Sequence, residues 1–368
     1  MTMIGLGKRT LAAALLAAAA IGSAYATAGR PASVAGAPRQ APQSSPALLS
    51  AWRINLDGHT GPYTLSNGQS GANLADVQLT QQNAANVYVS AAGIPSYAIG
   101  PFPGNPATPD EQNYRFRLPK TPVVQAGAKQ ATGLGPIGVL VNGVPIYNAL
   151  DAFSWSASLQ RDAATNAPPG QRGDGVWNRN ANVAEAAGFD SCRGHPAPGQ
   201  NPANGRYHNH DDPACLRAML GDDGTRHSPI IGWAFDGYPL YGPYGYADPL
   251  DPGSAIRRVA SGYRLRAIAQ RTTRPDGTAL LAGQYGPAVS AQYPLGYYVE
   301  DFEYAATGDL DRYNGRFTIT PEYPAGTYAY FLSLDAGGAA FYPYMIGPQY
   351  YGVVAADNLG AGQVAIPG

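Results

Sequence analysis

Ile231-Gly232-Trp233-Ala234-Phe235, then Asp236-Gly237, then Tyr238-Pro239-Leu240-Tyr241: two short apolar and aromatic runs flank an Asp-Gly pair. Such a pair tolerates the positive backbone angles of a two-residue turn, so the stretch predicts a β-hairpin. A second stretch repeats it. Ile137-Gly138-Val139-Leu140-Val141, Asn142-Gly143 and Val144-Pro145-Ile146-Tyr147 share the Ile-Gly opening, the Asn/Asp-Gly turn and the closing x-Pro-Ile/Leu-Tyr. A shorter echo joins Tyr97-Ala98-Ile99-Gly100-Pro101 to Tyr344-Met345-Ile346-Gly347-Pro348. Self-similarity of this kind predicts two related β halves wrapped into one domain. Residues present in both copies serve the shared backbone, so Asp236, opposite Asn142, is read as turn chemistry. His227 falls opposite Gly133 and is not accounted for by the repeat.

Outward from the hairpins the chain keeps the same character. It carries 46 Gly, 33 Pro and 25 Tyr against 9 Phe, with only 13% charged residues. That composition describes short strands joined by many turns, and the expected fold is an all-β single domain, sandwich-like or barrel-like, with few short helices. One helix is expected after Asp212 as N-cap and Pro213, ending at Gly221, and another over Asn182 to Ala187. With 24 basic and 25 acidic residues the net charge is −1, and no Lys/Arg-rich run is present. No electrostatic footprint for nucleic acid or an anionic membrane exists, and nucleic acid is excluded as a main partner.

Lys8-Arg9, the apolar run Leu11 to Ile21 and Ala24-Tyr25-Ala26 form the pattern of a signal peptide over residues 1–26. The run is too short for the roughly 20 residues that cross a bilayer, so no membrane span is expected. A twin-arginine signal would need a second arginine beside Arg9. Residues 27–50, rich in Ala, Pro, Gly, Ser and Gln, read as a disordered linker, 51–356 as the β domain and 357–368 as a flexible tail. The expected location is periplasmic or secreted.

The chemical signal is histidine. Four of the five histidines fall between His195 and His227. An isolated loop histidine is usually a surface residue, and His-x-His matches often arise by accident; clustering is what sets these apart. His208 and His210 lie two apart, so a strand presents both imidazoles on one face. His195 and His227 are the remaining local histidines and complete an expected four-ligand site. Neutral imidazoles suit copper, taken ahead of zinc, whereas calcium and magnesium prefer oxygen. Asp190 is expected to orient a ligand imidazole and Tyr207 to bond near the ion. Asp211, Asp212, Asp222 and Asp223 read as caps and turn residues, and His59 as a turn residue. Cys192 and Cys215, the only cysteines, bracket His195, His208 and His210 and are expected to form a disulfide in an oxidising compartment. Closing that loop contributes roughly 3 kcal/mol in the chain-entropy account. Their thiolates as metal ligands are the rival reading.

Signatures of serine hydrolases, zinc peptidases, phosphate-cradling loops and dinucleotide sites are missing. Glu300, Asp301 and Glu303 offer paired carboxylates for glycoside chemistry, although strand alternation separates Glu300 from Asp301.

Around Tyr207-His208-Asn209-His210 the sequence resembles the YHYH family, named for a Tyr-His-Tyr-His motif. The resemblance takes in Cys192 to His195, Cys215-Leu216, His227-Ser228-Pro229, Asp236 to Gly242, Gly308-Asp309-Leu310 with Asn314-Gly315-Arg316, Pro321-Glu322, Gly326 to Tyr330, Ile346-Gly347-Pro348 and Tyr351-Gly352. It runs from about Asp76 to Gly352. Asn209 stands where the motif has its second tyrosine, which on a strand faces away from His208 and His210. The family brings no agreed reaction, so the resemblance sharpens the site more than the activity. The expected function is an exported metal-binding protein acting in metal handling or metal-dependent redox chemistry. The alternatives are a non-enzymatic module that grips a glycan or an extracellular protein around a structural metal, and a metal-free carboxylate hydrolase. Coordination number separates the first two, because a catalytic ion keeps an open position.

Overall fold

The two Ile-Gly runs become neighbouring strands at the centre of one large sheet. The computed structural model describes residues 47–197, 203–354 and 358. Eight strands form the sheet: β1 (Pro136–Leu140), β2 (Pro145–Tyr147), β3 (Gly194–Ala197), β4 (Arg206–Asn209), β5 (Ile230–Ala234), β6 (Pro239–Tyr241), β7 (Gly315–Thr318) and β8 (Thr327–Phe331). Their spatial order is β3-β4-β2-β1-β5-β6-β8-β7.

That order is symmetric about its middle, and so is the register. Hairpin β1-β2 pairs Pro136 with Tyr147, Gly138 with Ile146 and Val139 with Pro145; hairpin β5-β6 pairs Ile230 with Tyr241, Gly232 with Leu240 and Trp233 with Pro239. Both carry an irregularity at the same place. The hairpins meet antiparallel, Gly138 against Ala234 and Gly232 against Leu140. A Cβ on Gly138 would lie 2.6 Å from the Trp233 carbonyl oxygen, and one on Gly232 2.8 Å from that of Val139, so the approach of the halves requires both glycines. Outside them a parallel strand is added to each half, with Asn209 beside Ile146 and Tyr330 beside Leu240. An antiparallel edge strand follows, with His195 opposite His208 and Arg316 opposite Ala329.

The turns before β3 and β7 repeat as well. Oδ1 of Asp190 accepts the N–H groups of Cys192 and Gly194; Oδ1 of Asp311 accepts those of Tyr313 and Gly315. Each carboxylate also accepts a phenol from the partnering strand, Tyr207 at 3.1 Å and Tyr328 at 2.9 Å. Arg193 and Asn314 both take the left-handed backbone region, φ 64° and 67°. Asp236 does more than shape its turn, since its Oδ2 also accepts Tyr330 Oη and the N–H of Gly352.

Central strands buried on both faces explain the unbroken apolar runs. Val139, Leu140, Ile146, Trp233, Leu240 and Phe331 are fully buried, each contributing about 1.5–3 kcal/mol of transfer free energy. Strands 77–82, 86–91 and 114–119 form a second sheet that adds Val87, Val89, Phe116 and Leu118 to the same core. A third, from 150–156, 161–164 and 178–180, carries Trp155, which packs with Trp177 and Tyr298 in a separate cluster. The fold is mainly β, and no described sheet closes into a barrel.

Among the described residues three short α-helices occur: α1 (Ala47–Ser50), α2 (Ala181–Ala184) and α3 (Ala214–Met219). Pro213, not Asp212, occupies the N-cap of α3, because both Asp212 carboxylate oxygens are taken by Arg217. Gly221 follows with φ +67°, as a helix-ending glycine should. The expected signal peptide lies outside the described residues, as do most of the expected linker and tail. The ends of those two segments are structured: Ala47 and Leu48 are buried in α1, and Asn358 is buried with its Oδ1 accepting the Arg117 N–H at 2.8 Å. A disulfide joins Cys192 to Cys215, tying the turn before β3 to α3. No helix among the described residues is long and apolar enough to cross a membrane.

Candidate metal centre

β4 and the residue that follows it deliver two imidazoles, and backbone carbonyls set their tautomers. His208 Nδ1 lies 2.9 Å from the Arg206 carbonyl oxygen and His210 Nδ1 2.5 Å from that of Asn148. An Nδ1–H donating to a carbonyl leaves Nε2 as a bare acceptor. The two Nε2 atoms face each other at 2.9 Å. Two lone pairs at that distance repel unless a cation stands between them.

His195, across from His208 on β3, brings its Nε2 to 2.9 Å from Glu185 Oε2, which also lies 3.1 Å from His210 Nε2. Ligand atoms of Glu185, His195, His208 and His210 all lie within 4.8 Å of one another. Yet His195 Nε2 and Glu185 Oε2 are buried without an aligned hydrogen bond, so closeness here is convergence on a point and not pairwise bonding. Four donors about 2.0–2.1 Å from one tetrahedral ion stand roughly 3.3 Å apart, a few tenths of an ångström wider than the closest pairs here. The donor set fits a transition ion.

Asn105 fixes the third ring. Its Oδ1 accepts the Ala107 N–H and its Nδ2 donates to the Pro196 carbonyl, which leaves that same amide 3.3 Å from His195 Nδ1. An amide donating there puts the ring proton on Nε2, toward Glu185, so an ion taken by Nε2 displaces that proton.

Burial dominates the electrostatics. It holds His208 well below the usual imidazole range, with the neighbouring His195 and His210 adding to the effect, and it lowers His195 too. For His210 burial acts downward, but the Glu185 carboxylate outweighs it and the ring is raised. Burial would raise Glu185, yet contact with His195 and His210 brings it well below the carboxylate range. The cluster therefore offers His208 and His195 as neutral imidazoles and Glu185 as an anion, while His210 favours a proton that a bound ion would displace. Tyr147 stacks on His208 with centroids 3.9 Å apart, and Phe189 flanks His195 and His210. Among the four, only the Glu185 side chain, 26% exposed, reaches solvent appreciably.

His227 does not join them. Its ring packs on Tyr241, Tyr246 and Phe331, with Nδ1 2.8 Å from the Ser228 carbonyl oxygen. In the register of the two halves Tyr241 and Phe331 correspond to Tyr147 and His210, while Ala329 and Arg316 correspond to His208 and His195. His227 thus occupies the counterpart of the cluster in the half that lacks the other imidazoles. Glu185 takes the fourth position instead. It caps the C-terminal end of α2, and no spacing in the sequence connects it with β4.

The two supporting residues expected from sequence act elsewhere. Tyr207 points to the opposite face of β4 from His208 and donates to Asp190, and Asp190 spends its oxygens on Gly100, Cys192 and Gly194 N–H groups. They shape the turn that positions His195 without touching a ligand ring. Ring orientation comes from the carbonyls of Arg206 and Asn148, which leave no mark in sequence. Asn209, on the far face with Tyr207, donates to the Cys192 carbonyl.

The other acidic residues considered are engaged by partners outside the cluster. Asp211 pairs with Arg193, Asp212 and Asp222 with Arg217, and Asp223 accepts from Thr225. Glu300 accepts two bonds from Asn178, Asp301 is held by Arg271, and Glu303 pairs with Arg264, so these three do not face one another as a catalytic pair. His59 lies between Asp57 and Asp76.

The sequence model of the YHYH protein family matches residues 115–342, more than half of the 368-residue chain. No curated protein and no solved structure matches.

Proposed function

The chain belongs to the YHYH family, and on that footing we propose that it is an exported metal-binding protein holding one transition ion on His195, His208, His210 and Glu185. The observation that carries the proposal is the convergence of three imidazole nitrogens and a carboxylate oxygen in a pocket where two of the four have no aligned hydrogen-bond partner. Copper is placed ahead of zinc. Three imidazoles and a carboxylate suit either divalent ion, and among divalent ions copper binds such donors more tightly. The role is metal handling or metal-dependent redox chemistry. The disulfide fits an oxidising compartment, which supports a periplasmic or secreted location and the signal peptide over residues 1–26.

One observation favours the second reading, a binding module for a glycan or protein around a structural ion. Four protein donors already complete a tetrahedron, the closed arrangement of structural sites. The exposure of Glu185 supports the first, because a carboxylate at the solvent edge can yield its place to an incoming ligand.

Metal analysis of protein purified without an affinity tag tests the proposal. One copper or zinc per chain is expected, and none in the His208→Ala, His210→Ala double variant, whose fold persists through the sheet and the disulfide. Full occupancy in the double variant would remove the site.

A further inference from the structure

The face of β4 that carries His208 carries a second kind of chemistry two residues earlier. Arg206 leaves the strand on the same side. Its carbonyl orients His208, but its Nε is buried with no acceptor. Tyr114, only 2% exposed, is in the same condition, its hydroxyl having no partner. Residues 108–110, shortly before Tyr114, run beside Gly205, shortly before Arg206: the Gly205 N–H donates to the Thr108 carbonyl at 2.7 Å and the Asp110 N–H to that of Gly205 at 3.0 Å. Tyr147, stacked on His208, is the third neighbour. Burial drives the phenols of Tyr114 and Tyr147 far from ionisation, and the charge of Arg206 acts on both in the opposite sense.

A buried donor without an acceptor costs roughly 1–3 kcal/mol, and more when it is charged. Arg206, whose charge acts on Tyr114, and Tyr114 itself share one deficiency, an acceptor. We propose that Arg206, Tyr114 and Tyr147 form the subsite for a monoanionic carboxylate ligand beside the His208 ring. A carboxylate supplies two oxygens, one for the guanidinium N–H and one for the Tyr114 O–H, and charge assistance makes these the stronger class of hydrogen bond. A single arginine balances a single negative charge, so a dianionic phosphate is matched less well and a neutral amide brings no charge to the guanidinium. The inference names the ligand class of the proposed metal site and rests on that reading for its location, but its donors are present without the ion.

Calorimetric titration of the full chain with acetate, acetamide and inorganic phosphate, in chelator-treated and copper-loaded protein, tests it. Acetate should bind at least about tenfold tighter than the other two, and Arg206→Gln or Tyr114→Phe should each weaken it about tenfold, the loss of one charge-assisted bond. Tyr114→Phe guards against misfolding, since removing an unpartnered hydroxyl leaves Tm unchanged or raised. Acetate binding to chelator-treated protein reads the subsite alone and metal analysis of the loaded protein reads the centre alone, so failure of the metal site and failure of the subsite are read separately. Equal affinity for acetate and either competitor, or undiminished acetate binding in both variants, would overturn the proposal.

Discussion

Glu185 and His227 exchange roles between sequence and structure, and the reason is local. His208 and His210 were legible because a strand has a period of two, and their Nε2 atoms do meet at 2.9 Å. His195 was reachable from the same window of sequence. Glu185 was not, since a carboxylate after a one-turn helix carries no periodicity that aims it anywhere. His227 was singled out by asking what the hairpin repeat leaves unexplained, but the repeat extends further than the hairpins. Thr327-Tyr328-Ala329-Tyr330-Phe331 is the counterpart of Arg206-Tyr207-His208-Asn209-His210, and only the tyrosine at the second position is shared. At this scale Glu185 is directly testable. Glu185→Gln keeps the shape and removes the anion, so copper or zinc affinity should fall by at least about tenfold, measured by competition with a chelator of known strength. An unchanged affinity would mean that the three imidazoles act without it.

The recurring element is the turn that opens β3 and β7, each organised by one aspartate accepting two backbone N–H groups and a phenol. Only one of the two turns leads to a residue of the proposed metal centre. Asp190→Asn should destabilise the protein by about 1–3 kcal/mol in denaturant unfolding, because its amide N–H would stand against the Gly100 N–H that Oδ2 accepts; Asp311→Asn should cost less, since Asp311 Oδ2 meets only the Tyr328 hydroxyl, which can accept from an amide. Metal affinity should fall only in Asp190→Asn, whose turn positions His195. A loss of equal size in both variants would show that metal binding follows global stability and not this turn. The hairpins themselves were the most legible elements, because Asn-Gly and Asp-Gly name their turn type. The parallel addition of β4 to β2 was not, since its one registered pair, Asn209 beside Ile146, is made across a long stretch of chain.

At the scale of the molecule, composition announced the mainly β fold, while the second half's symmetric arrangement emerged only from register. The half-buried Glu300 gives the fold a pH response. Burial raises its carboxyl from the ordinary 4.5 to about 7, against the opposing bonds from Asn178. The folded state therefore keeps a proton that the unfolded chain releases, so this contribution is complete below about pH 4.5 and is lost as pH rises through 7. Its side chain is partly open to a cavity of about 200 Å³, so the loss is about 1 kcal/mol rather than the full shift. Glu300→Gln should flatten the dependence between pH 5 and 8 in urea unfolding of chelator-treated protein, and an unaltered slope would assign it to other groups.

X-ray absorption at the metal edge of copper- or zinc-loaded protein examines the centre itself. The expected spectrum has three imidazole nitrogens and one oxygen at about 2.0–2.2 Å, with the Glu185→Gln variant altering the oxygen shell and His227→Ala altering nothing. A sulfur scatterer, fewer than two imidazoles, or a spectrum that changes with His227→Ala would contradict the site built by His195, His208, His210 and Glu185.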